Sequence, residues 1–240
     1  MKRYLFTLLT LGLLSAEQVT SQSISANKVL EKAIAFHDPN GNWESLKATF
    51  KVVMATPNRP ERTSVITVDF PKQEFNLDVS QGDDTYSYQI KGSSCEITLN
   101  GNKEFTQKEA KELQLDCERG NFMKDYYTYL YGLPMKLNDP GTHLAPKAEK
   151  KTFKGKEYLV LKVTYDAEIG KDTWYFYFDP TTYAMEVYQF YHDKSKNDGE
   201  YIILQGLEEI EGIKMPKTRA WYMNREDTYL GTDTLSKAAG

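Results

Sequence analysis

Hydrophobic residues recur at every second position through most of this chain and at helical spacing in two places. Near the start, Val29, Leu30, Ala33 and Ile34 lie three and four apart behind Ser25, a residue able to cap a first turn. The run His37-Asp38-Pro39-Asn40-Gly41 stops that pattern. From Phe50 the period is two: Phe50, Val52 and Met54 alternate with Thr49, Lys51 and Val53. Ile66, Val68 and Phe70 follow beyond the turn Pro57-Asn58-Arg59-Pro60. The runs Phe75-Leu77-Val79, Tyr86-Tyr88-Ile90 and Cys95-Ile97-Leu99 come next. Gln81-Gly82-Asp83, Lys91-Gly92 and Asn100-Gly101 separate them, and these residue types tolerate the backbone of tight hairpin turns. An antiparallel meander is predicted.

The alternation breaks at Thr106, which forms a capping box with Glu109. Phe122, Tyr126 and Leu130 then share a helical stripe that Gly132 and Pro134 end. From Phe153 the two-residue period returns through Tyr158–Val163, Trp174–Tyr191, Tyr201–Leu204 and Arg219–Met223. Strands flanking a helical insertion, with an amphipathic helix in front, predict an α+β fold. The expected form is a curved antiparallel sheet, a half-open barrel, with helices covering its concave face.

The most aromatic stretch, WYFYFDPTTYAMEVYQFY from Trp174 to Tyr191, reads as one hairpin. Pairing Asp179 with Ala184 sets Phe178 against Met185, Phe176 against Val187 and Trp174 against Gln189 on an apolar face. Tyr175, Tyr177, Glu186, Tyr188, Phe190 and His192 then fall on the other face, toward water. The inward rings fill a core or line a cavity, since large barrels are not always filled by their own side chains.

Composition narrows the function classes. At 240 residues and 40% hydrophobic content the chain can bury a proper core in one domain. A net charge of −4 with no basic, aromatic-interleaved cluster argues against nucleic acid. Lys2 and Arg3 precede an apolar run from Tyr4 to Leu14, and small or polar residues follow to Ser21, the pattern of a secretory signal peptide over residues 1–21. Cleavage after Ser21 leaves residues 22–240 as a single domain; cleavage after Ala16 is the alternative. Glu17 stands where a lipid-accepting cysteine would follow Leu13-Leu14-Ser15-Ala16, so the mature chain is expected to be periplasmic, unlipidated and without stable membrane insertion. Export also favours pairing of Cys95 with Cys117 in a disulfide, with two buried thiols as the alternative.

Catalytic and metal signatures are weak. With three histidines, no CxxC and no HExxH there is no zinc pattern, and no cofactor is implied. Ser25-Ala26-Asn27-Lys28 matches SxxK without its companion motifs. His192 and Asp193, with Asp198 and Glu200 near, form the best acid/base set, although a polar turn after a strand is more often a solvated tip. Tyr175, Tyr177 and Tyr188 offer a flat ring platform for a glycan, or ordinary cross-strand pairs.

FDPTTYAMEV at Phe178–Val187 and EIEGIKMPKTR at Glu209–Arg219 resemble the C-terminal half of LolA-like outer-membrane lipoprotein carrier and sorting proteins. VLEKAIAFHDPNGNWESLKATFKVVM, Val29–Met54, resembles their helix, His-to-Trp turn and first strand. The whole mature chain, with RGNFMKDYYTYLYGLPMKLNDPGT, more closely resembles a family of exported proteins of Bacteroidota-type bacteria. The superfamily resemblance implies a curved sheet wrapped on helices, with a cavity that in the carriers holds acyl chains. A carrier needs no catalytic motif: burying a sixteen-carbon chain supplies on the order of 12 kcal/mol before ordering costs. The expected cavity lining is Trp174, Phe176, Phe178, Met185 and Val187 from the sheet and Val29, Ile34 and Phe122 from helices. A lipid or acylated protein is the expected partner; an enzyme at His192 and a glycan-binding or scaffold protein are the alternatives.

Overall fold

The computed structural model describes residues 24–238; the expected signal peptide lies outside the described residues. Helix α1 (Ala26–His37) buries Val29, Leu30 and Ala33, the stripe its spacing dictates, with Ser25 at its N-cap. The chain turns sharply after it because the Asp38 carboxylate accepts the backbone N–H groups of Asn42 at 2.8 Å and Trp43 at 2.9 Å. That turn sets the Trp43 ring edge-on against Phe70, with centroids 5.0 Å apart.

Strands β1 (Lys47–Thr56), β2 (Arg59–Asp69), β3 (Glu74–Gln81), β4 (Asp84–Lys91) and β5 (Ser94–Leu99) form the predicted meander. The insertion holds α2 (Gln107–Leu113) and α3 (Cys117–Gly132). Thr106 and Glu109 make the reciprocal capping box of α2, and the Asp116 carboxylate caps α3 through the Arg119 N–H at 2.7 Å. Strands β6 (Thr142–Leu144), β7 (Glu149–Phe153), β8 (Lys156–Tyr165), β9 (Thr173–Phe178), β10 (Met185–Tyr191), β11 (Glu200–Ile210), β12 (Ile213–Met223) and β13 (Tyr229–Lys237) follow. Both β6 and β7 pair with the same edge of β8.

The two halves join where β13 returns to pair with β1, giving one 13-stranded sheet in the order β5-β4-β3-β2-β1-β13-β12-β11-β10-β9-β8-β6, with β7 also on β8. The edges at β5 and β6 do not pair with each other, so the sheet curves without closing. Helices cover its concave side. α1 packs on β8 and β12 and so spans the strands between, whereas α3 packs on β4 and β5. Cys95 and Cys117 form a disulfide that ties the first residue of α3 to β5.

The aromatic hairpin corrects the expected register. Its loop is as predicted: the Asp179 N–H donates to Ala184 O at 2.9 Å, and the Asp179 carboxylate accepts the N–H groups of Thr181 and Thr182. Met185 faces Phe178, but a bulge between Met185 and Val187 shifts the pairing, so that Tyr188 faces Phe176 and Phe190 faces Trp174. Trp174, Phe176, Phe178 and Met185 therefore share the concave core with Tyr188 and Phe190, while Val187 joins a second cluster with Tyr158, Val160, Tyr175 and Tyr177. The bulge places Glu186, where it binds Lys156 at 2.7 Å, outside the concave core and keeps apolar residues inward on both sides of it. Val187 is thus a convex-face residue rather than a concave one.

Candidate functional site

Between α3 and the sheet the packing is tight. The gap enclosed by Trp43, Phe50, Ile66, Tyr127 and Tyr131 measures about 10 Å³, too small for an acyl chain. Phe176 and Phe178 are fully buried, as is Val29, and Ile34 packs partly buried against the same core. Trp174, Phe176, Phe178, Met185, Val29 and Ile34 are therefore brought together as core. Val187 and Phe122 are the exceptions: Val187 packs in the convex cluster, and Phe122 is 54% exposed, the buried stripe of α3 being Met123, Tyr127, Leu130 and Tyr131. The stripe read from Phe122 and Tyr126 lies one residue off the buried one, because a row of tyrosines makes both faces look alike to a periodicity count.

A mouth of about 240 Å³ opens beside α3, walled by Met54, Thr56, Tyr126, Glu200, Trp221, Leu230, Gly231 and Asp233. Phe122 stacks on Tyr126 at its outer side, centroids 6.3 Å apart. Wider clefts of about 420 and 400 Å³ lie along other flanks of α3, both bordered by Lys136 and Asp139, which pair with each other.

What distinguishes the mouth is the polar cluster next to it. Asp233 lies in its wall and is the cross-strand partner of Arg219. Arg219 is fully buried, its guanidinium 3.9 Å from the Tyr131 ring centre. It donates to Pro216 O at 3.0 Å and, across to the helix, to Leu130 O at 3.2 Å. Arg62 donates to the Tyr127 hydroxyl at 3.4 Å, and that hydroxyl donates to Ser64 at 2.8 Å. Four buried atoms have no hydrogen-bond partner among the described residues: Arg62 Nε, Arg219 Nε, and the hydroxyls of Tyr131 and Tyr188. Buried polar groups are nearly always paired, so four together mark a place unlike the rest of the core.

Burial governs the electrostatics. It pushes the Asp233 carboxyl above its ordinary pKa, opposed by Arg219, by Arg62 and by the indole N–H of Trp221 at 3.3 Å. Burial raises Glu200 as well, against the pull of His192. Tyr131 and Tyr188 are driven far up by burial, with Arg219 pulling the other way, so both hydroxyls stay protonated donors.

The alternative sites resolve differently. His192 is exposed and bonds Asp172 at 2.7 Å, which raises its pKa. Asp193 instead caps the turn at Lys194–Lys196, and Asp198 accepts the Asp193 N–H at 2.5 Å, so these two carboxylates of the acid/base set serve a hairpin tip, while Glu200 walls the mouth. Tyr175 and Tyr177 are not an open platform: they are 4% and 5% exposed, and Lys151 and Lys194 lie over the Tyr175 ring. Tyr188 is inside the concave core. No group of three or more metal-ligating side chains occurs among the described residues. No described helix is long and apolar enough to cross a membrane.

Sequence reasoning missed Arg62, Tyr131, Arg219 and Asp233. A signal existed in the strand parity: Arg62 and Ser64 share a face with the buried Ile66 and Val68, and Asp233 shares one with Leu235. A charged residue on an inward position of an apolar strand is the observation that finds this cluster.

No curated protein matches the sequence. Two solved structures are similar over most of the chain at low identity. A LolA superfamily protein from Nitrosomonas europaea shares 12% identity, covering 91% of this chain and 95% of its own, at a TM-score of 0.48. A domain described as an outer membrane lipoprotein-sorting protein, from Vibrio parahaemolyticus, shares 11% identity, covering 89% and 92%, at 0.45. Likeness of that degree transfers no functional residue. The family match spans residues 1–237, and on it the chain belongs to the family of unknown function DUF6503.

Proposed function

We propose that this protein is an exported binding or carrier protein that holds a lipid, an acyl chain or another apolar ligand between its curved sheet and the helices covering it. The observation that carries this reading is the mouth at Met54, Tyr126, Trp221 and Leu230, an apolar-walled opening between α3 and the concave face. An unclosed sheet whose apolar face is covered only by helices can admit a ligand by displacing a helix, without breaking its own ladder. The enclosed space is too small for a chain as it stands, so loading moves α3. The signal-like N-terminus and the absence of a catalytic motif agree with this role. Of the expected lining residues, Trp174, whose ring meets Tyr129 of α3 with centroids 6.2 Å apart, is the one a displaced α3 uncovers.

The test is extraction of the protein purified from its native envelope into organic solvent, followed by mass spectrometry. A co-purifying lipid at a constant molar ratio is expected. An extract free of lipid, together with no displacement of a fluorescent fatty-acid probe, overturns the reading.

A further inference from the structure

The cluster beside the mouth is short of one anion. Arg62 and Arg219 bring two guanidinium groups, and both hydrogen-bond only uncharged groups among the described residues. A guanidinium has five N–H donors; Arg219 uses two, leaving three, Nε among them. The carboxyl facing Arg219 is Asp233, already engaged by Trp221 and held above its ordinary pKa by burial. Glu200, also in the mouth wall, lies near His192, whose ring is bonded to Asp172. Buried charge without a counter-charge is costly, and a core built only for stability would replace it with apolar side chains. The unpaired hydroxyls of Tyr131 and Tyr188 add two rotatable donors beside the same guanidinium.

We propose that Arg219, Arg62, Tyr131 and Tyr188 form a receptor for the carboxylate of a single-chain amphiphile, whose hydrocarbon tail leads out through the mouth. This deepens the carrier reading and rests on it. A deficit of one charge fits a monoanion, and a planar carboxylate matches the fork of a guanidinium. The tail meets Met54, Tyr126, Trp221 and Leu230, and Phe122, exposed and stacked on Tyr126, continues the apolar strip outward. The headgroup then takes up donors that the protein alone leaves unused, which supplies specificity that an apolar groove cannot.

The test titrates the full chain with palmitate, hexadecanol and acetate, followed by calorimetry. Palmitate is expected to bind at least tenfold more tightly than hexadecanol, and acetate not measurably. Tyr131→Phe/Tyr188→Phe removes only unpaired hydroxyls, so its melting temperature stays near that of the parent. Its palmitate affinity falls roughly tenfold or more while hexadecanol is unaffected. Asp233→Asn removes the resident carboxyl and tightens palmitate several-fold. Equal affinities for palmitate and hexadecanol, or palmitate affinity unchanged in both variants, overturn the receptor and leave the carrier reading standing. Acetate binding as tightly as palmitate overturns the amphiphile. Binding of neither long-chain probe removes the carrier reading, and the receptor with it.

Discussion

The two helices cover the same concave face in opposite ways. Under α1 the buried side chain of His37 is fully satisfied: its Nδ1–H donates to Lys214 O at 2.6 Å and its Nε2 accepts the Met185 N–H at 2.9 Å. Burial holds its pKa down from 6.5 to about 4, so the ring is neutral and joins α1 to β10 and β12 at once. Beside α3 there are the buried Arg219 and the half-buried Arg62, four unpaired polar atoms and an opening to solvent. The difference teaches that one half of the cover is built as permanent core and the other as a place where something else can bind.

The comparison breaks most severely at the α1 side. Phe176→Ala, deep among the rings of β9 and β10, is expected to cost about 3–5 kcal/mol in urea denaturation, because so large a cavity there has no way to collapse. A loss below 1 kcal/mol would mean that this half is as loose as the other.

Replacing Cys95 and Cys117 together by alanine removes a link across a sequence separation of 22 and costs about 3 kcal/mol by loop entropy. Hydrogen exchange should quicken in α3 and leave α1 protected; equal effects on both helices would contradict the division.

His37 gives the pH dependence. Its folded pKa is depressed, so the unfolded chain takes up the proton first. The stability it contributes is present above pH 6.5 and is lost as pH falls toward 4, by about 3 kcal/mol in full. Denaturation midpoints of the parent and of His37→Gln should converge as pH drops over that window; parallel curves would refute the assignment.

The smallest effect separates satisfied from unsatisfied hydroxyls on α3 itself. Tyr127→Phe breaks the bond to Ser64 and leaves a buried acceptor unmatched, costing about 1–2 kcal/mol. Tyr131→Phe removes a hydroxyl with no partner and should shift stability by less than about 0.5 kcal/mol. Thermal denaturation of the two variants side by side reads the contrast.

Much of the architecture could be read from local pattern. The capping box at Thr106 and Glu109, the end of α1 at His37 and the Asp179-to-Ala184 loop follow from residue types and spacing, and the structure has each of them. The disulfide was one of two open readings, since no spacing rule pairs cysteines. The candidate site was far less legible. Unbroken alternation past Met185 puts Tyr188 outward and Val187 inward, and the bulge reverses both. Arg219 lay inside a motif matched for its resemblance, its burial unseen.

The sequence by itself determined the alternation of the β1–β5 meander, the end of α1, the capped start of α2 and which rings of β9 face inward, because period and turn chemistry are local. Only the tertiary structure decided the bulge at Glu186, the buried stripe of α3 and the meeting of Arg62, Arg219 and Asp233. The last two depend on β13 returning to β1 and on α3 lying across the sheet, contacts such as Phe50 with Lys237 and Leu130 with Arg219 that are distant in sequence and that no local pattern encodes.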